Sequence, residues 1–188
     1  MFIGPYQGGV LFSDANNWKF IWGGTATTSS AGAQIRQTVS TFINTLVSCT
    51  ASNTYAATLN LSDTDGTQIM TLGVTPSAAT TLLRIDVKIN GTLQERGTSP
   101  NFARFGLFAT TATSALDVAW TPAVLATGAP TTANIEYLAS STATTLRTYQ
   151  VRGFPRSSSG PIFEVNGSGG GVALNGGNSY SSIIIMEY

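Results

Sequence analysis

Few residues in this chain could do chemistry, and most of them lack the partners that chemistry needs. The run Asp63-Thr64-Asp65-Gly66 opens like a calcium loop, with carboxylates at alternate positions and a glycine to turn the backbone. The position that should supply the bidentate glutamate holds Val74, so the segment reads as an Asp-Gly turn and no metal is expected. The 9 Asp and Glu residues could supply a glycosidase pair. Such a pair need only lie ~5–10 Å apart in space, and no local pattern singles out two of them. The chain has no histidine, which removes Ser-His-Asp and Cys-His nucleophiles, His-ligated zinc and imidazole pH switching. Cys49 is the only cysteine, so neither a disulfide within one chain nor a four-cysteine zinc site can form. Flanked by Val47-Ser48 and Thr50, it reads as a small buried hydrophobe. No catalytic residue, cofactor or enzymatic activity is expected.

The remaining candidates are contact residues. Trp120 stands near Pro122, and Phe154 stands beside Pro155, both at expected strand ends where an aromatic ring can stack on a sugar. Arg147, Arg152 and Arg156 cluster nearby and could meet an anionic group, although an ion pair or a solvated face explains such a cluster equally well. Trp120, Arg152, Phe154 and Arg156 are therefore the candidate receptor contacts, against the plainer reading that they are packed.

Composition narrows the class of partner. Of 188 residues only 10% are charged, against ~25% in ordinary soluble domains. Lys plus Arg and Asp plus Glu are 9 each, so the net charge is zero and no long-range field draws the chain to nucleic acid or an acidic membrane. The start, Met1-Phe2-Ile3-Gly4-Pro5-Tyr6, has no basic residues before its apolar stretch and does not read as a signal peptide. No apolar run is long enough to span a bilayer, so no membrane insertion is expected.

The elements that must position these residues read as β-strands. Leu83-Arg84-Ile85-Asp86-Val87-Lys88-Ile89 alternates without a fault, which marks a sheet with one wet face. Asn90-Gly91 then reads as the turn of a hairpin. Val39, Phe42, Ile43, Leu46 and Val47 have helical spacing, but their Thr-rich surroundings favour a strand. Further strands are expected at 67–74, 102–109, 134–138, 146–151, 162–165 and 182–188. Short strands with frequent Pro and Gly breaks give an all-β sandwich. The final run Ser182-Ile183-Ile184-Ile185-Met186-Glu187-Tyr188 is too apolar to fray, so it must lie inside a sheet or against another copy. Residues 1–38 differ from the rest. Phe2, Tyr6, Phe12, Trp18 and Trp22 are separated by Gly-Gly pairs, and this segment reads as an arm or small hairpin that docks aromatics onto a neighbour. The linker is Thr25 to Gln34, and the main domain is 39–188.

Several segments from about Gln37 onward, taken in order, carry a family resemblance. They are Ser62-Asp63-Thr64-Asp65-Gly66-Thr67-Gln68, Thr75-Pro76-Ser77-Ala78 through Leu83-Arg84-Ile85, Phe105-Gly106-Leu107-Phe108, Thr148-Tyr149-Gln150-Val151-Arg152, and Ser179-Tyr180 through Met186-Glu187-Tyr188. This succession resembles the jelly-roll domains at the tips of bacteriophage tail fibres and related virion appendages. The resemblance implies an antiparallel jelly roll, similar in shape to tumour-necrosis-factor domains, that assembles as a homotrimer on a virion surface after synthesis in the bacterial cytoplasm. Ile183, Ile184, Ile185, Met186 and Tyr188 would then form the trimer interface. The aromatics of the arm would attach it to other virion proteins of tail or capsid, and its outer loops would face host-surface glycan. The expected function is a tail-fibre or receptor-binding appendage. The alternative is a capsid decoration protein that stabilises the head and reads no receptor; the short arm in place of a shaft favours it.

Overall fold

A computed structural model describes residues 10–14, 17–21, 34–49, 61–93, 102–121, 130–155, 163–168 and 171–188. The chain divides into two units, Met1–Gln34 and Ile35–Tyr188. In the first, β1 (Val10–Asp14) and β2 (Asn17–Ile21) form an antiparallel hairpin, with Val10 opposite Ile21 and Asp14 opposite Asn17.

The second unit is all-β among its described residues, apart from one short 3-10 turn at Leu174–Gly177, and its strands pair antiparallel throughout. Its strands are β3 (Gln37–Ile43), β4 (Val47–Cys49), β5 (Thr67–Val74), β6 (Leu82–Leu93), β7 (Ala103–Ala109), β8 (Asp117–Trp120), β9 (Pro130–Ser140), β10 (Arg147–Pro155), β11 (Phe163–Val165) and β12 (Ser181–Glu187). One sheet runs β5-β10-β7-β8, and the larger runs β3-β12-β6-β11-β4 with β9 also on β6. Strand β9 follows β6 from Leu82 to Thr92, so β12 and β11 share the other edge of β6.

Period-two patterning decides which side chains enter the core. On β6, Leu83, Ile85, Val87 and Ile89 are buried, and the charged residues between them face away. Strand β12 is matched to it: Ile183 lies opposite Val87 and Ile185 opposite Ile85, all four in one core. The core is closed by the second sheet, where Phe105 of β7 meets Phe163 of β11 edge-on at 4.9 Å. The register of β5 on β10 shifts between Val151 and Arg152 and passes over Ile69, so the adjacent residues Ile69 and Met70 are both buried. Cys49 is fully buried, and burial pushes its thiol up to about 12, which keeps it protonated and inert.

The expected hairpin at Asn90-Gly91 is not formed. Strand β6 runs straight through it to Leu93, and Gly91 pairs with Val165. The glycine serves close approach rather than turning: a Cβ there would lie 2.2 Å from the Glu164 carbonyl oxygen. Asn-Gly favours a turn only when the flanking strands can fold back on each other, and here β9 and β11 occupy both edges of β6 instead.

Candidate functional surface

The C-terminal strand splits the expected interface residues into two sets. Ile183 and Ile185 are fully buried in the chain's own core, which leaves them no surface for a contact with another copy. Alternation leaves Ile184 and Met186 half-buried on the outer face, opposite Asp86 and Arg84, with half-buried Tyr188 continuing beyond the strand. The same outer face carries the exposed Leu82 and Leu138. Arg84 bridges Asp86 on its own strand at 3.0 Å and Glu136 of β9 at 3.2 Å. The result is an apolar strip crossed by one small ion-pair network.

The candidate receptor contacts also separate. Trp120 ends the edge strand β8 and is 48% exposed. Its ring lies 5.2 Å from that of Phe102, and the Arg104 guanidinium stands over it at 5.4 Å, a cation–π arrangement. Phe102 and Arg104 were not singled out from the sequence. Only the β7–β8 register, which sets Arg104 opposite Trp120, reveals them. Phe154 is only 2% exposed and packs on Phe108, so it is a core residue and not a surface contact. Arg152 is committed to the fold: its Nε donates to the Asp65 carbonyl at 2.7 Å and a terminal nitrogen to the Gly66 carbonyl at 2.9 Å. Arg147 likewise donates to the Ser140 carbonyl and the Thr142 hydroxyl. Arg156 lies outside the described residues.

The Asp63–Gly66 segment is a turn, with the Asp65 N–H donating to the Ser62 carbonyl and Gly66 in the left-handed region at φ 69°. Val74 points into the core. Among the described residues no group of three or more His, Cys, Asp or Glu side chains comes together, and no helix is long and apolar enough to cross a membrane. Of the arm aromatics, Phe12 falls on β1 and Trp18 on β2, while Phe2, Tyr6 and Trp22 lie outside the described residues.

No known protein-family model matches the chain, and no curated protein sequence matches it.

Proposed function

We propose that the protein is a bacteriophage virion structural protein, a homotrimeric jelly-roll appendage of the receptor-binding type. The observation that carries this reading is the order of strands. Taking β3, β5, β6, β7, β8, β9, β10 and β12 as first to eighth, one sheet contains the first, eighth, third and sixth, and the other the second, seventh, fourth and fifth. With the short β4 and β11 of the larger sheet set aside, two interleaved sets of four support the jelly-roll reading.

A second support comes from the segments that carry the family resemblance. The fold joins them in pairs. Arg152 of the Thr-Tyr-x-Val-Arg strand caps the Asp63–Gly66 turn, and Glu187 near the chain's end accepts hydrogen bonds from Ser77 of the Thr-Pro-Ser element. The trimer contact is the outer strip of Leu82, Leu138, Ile184, Met186 and Tyr188; a threefold ring closes with one pair of complementary patches per subunit. Arm aromatics such as Phe12 and Trp18 attach the trimer to the particle, and the Trp120 cluster is open to the host surface.

Antibody against the domain Ile35–Tyr188, applied to intact particles that carry the gene, tests the reading by electron microscopy. Label at the tail is expected. Label on the head would establish decoration instead, and unlabelled particles would remove the protein from the virion.

A further inference from the structure

The end of β3 and the chain entering β12 line an open cleft of about 520 Å³, within the usual size range of small-ligand sites. Its two rings are Phe42, 57% exposed, and Tyr180, 50% exposed. They meet edge-to-face, with centroids 5.7 Å apart and planes at 73°, so they form an aromatic corner open to solvent. Two large exposed aromatics side by side are unusual on a surface that needs no partner.

The rest of the lining is polar but uncharged, including Asn44, Asn178 and Ser179. Among the described residues, the exposed amides of Asn44 and Asn178 make no side-chain hydrogen bond. Each amide offers both donors and an acceptor, and a sugar hydroxyl demands both. With no charge in the lining, nothing there favours an anionic ligand.

The walls are held in place from beneath. Asn166 is fully buried with a left-handed backbone, φ 54°. Its Nδ2 donates to the Ile43 carbonyl at 2.9 Å and the Thr45 carbonyl at 3.2 Å, on either side of Asn44. Its Oδ1 accepts from the Ser181 hydroxyl at 3.0 Å, next to Tyr180. Asn90 donates to the Tyr180 carbonyl at 2.6 Å and accepts from the Thr132 hydroxyl. Both walls are thus tied to one polar network, and a site pinned in this way spends little affinity on ordering itself.

We infer that this cleft binds a neutral saccharide unit of a surface glycan. The C–H face of the sugar ring lies against the Phe42–Tyr180 corner, and its hydroxyl rim meets Asn44, Asn178 and Ser179. The inference rests on the receptor-binding reading above and adds the place and the charge class of the ligand.

Saturation-transfer NMR on the full chain tests it, with lactose, maltose, cellobiose and N,N′-diacetylchitobiose as probes and glucuronic acid as the anionic comparison. At least one neutral disaccharide should receive saturation at its ring C–H protons, and glucuronic acid should receive none. Phe42→Ala and Tyr180→Ala, both at exposed positions, should each weaken binding about ten-fold or more, some 1.4 kcal/mol, with unchanged subunit number. Absence of transfer to every neutral probe overturns the inference. Transfer that survives both substitutions but disappears in Trp120→Ala also overturns it, and leaves the receptor-binding reading standing. A change of subunit number in Phe42→Ala overturns it by making the cleft a contact between copies.

Discussion

Ser77 donates two hydrogen bonds to the same oxygen of Glu187, from its backbone N–H at 2.8 Å and from its hydroxyl at 2.7 Å. The other carboxylate oxygen accepts from Gln37 Nε2, which also donates to the Thr75 carbonyl. Glu187 is fully buried at the end of the last strand, so its negative charge joins the first strand of the domain, the Thr75-Pro76-Ser77 segment and the last strand.

Burial alone would raise the Glu187 pKa, but the hydrogen bonds from Ser77 and Gln37 outweigh it and hold the carboxyl at about 2, below the ordinary 4.5. A depressed folded-state value stabilises the fold fully above the unfolded value and ceases to do so as pH falls through the folded one. Glu187→Gln should therefore cost about 1–3 kcal/mol at neutral pH, seen as a lower melting temperature. The gap from the parent protein should narrow as pH is lowered from 4.5 toward 2. A gap constant across that window would show that the charge is not what holds the strand.

Neighbouring isoleucines should fail in different ways. Ile183→Ala removes buried volume from the core and should cost roughly 2–5 kcal/mol in a denaturant titration. Ile184→Asp places a charge on the outer strip and should leave the chain folded but monomeric by native mass spectrometry. A folded trimer in Ile184→Asp would show that the strip is not the subunit contact.

Gly91→Ala should be among the most damaging single-methyl additions, because the new carbon would meet the Glu164 carbonyl and the Phe163 ring, at 2.2 and 2.6 Å. Overpacking of this kind typically costs 1–3 kcal/mol, roughly, and should appear as a lowered melting temperature. Unchanged stability would mean that β11 can move away from β6.

Deletion of Met1 to Gly24 should leave a soluble, β-rich trimer that no longer joins the particle, since Ile35–Tyr188 forms a unit by itself. Circular dichroism and native mass spectrometry check the fold and the subunit number. Loss of folding would assign the arm aromatics to the core instead.

The strands were largely legible because period-two alternation is a local property. Thr67–Val74 was read with its observed ends, and the unbroken pattern of Leu83 to Ile89 gave both faces of β6. Strand β8 was missed because Asp117-Val118-Ala119-Trp120 is short and lies at an edge, without a clean buried face. The turn assigned to Asn90-Gly91 failed because local propensity says nothing of a strand arriving from residue 165. Site residues were less legible still. Phe154 and Arg152 had the right types for contact, but burial and two backbone carbonyls had already claimed them. Phe42 and Tyr180 lie 138 positions apart, and only the β3–β12 pairing brings their rings together.

Competition for adsorption tests receptor binding. Host cells preincubated with the purified full chain are challenged with phage, and unadsorbed particles are counted. Adsorption should fall as protein is added, and fall less with Trp120→Ala. Adsorption that stays unchanged at saturating protein would contradict receptor binding.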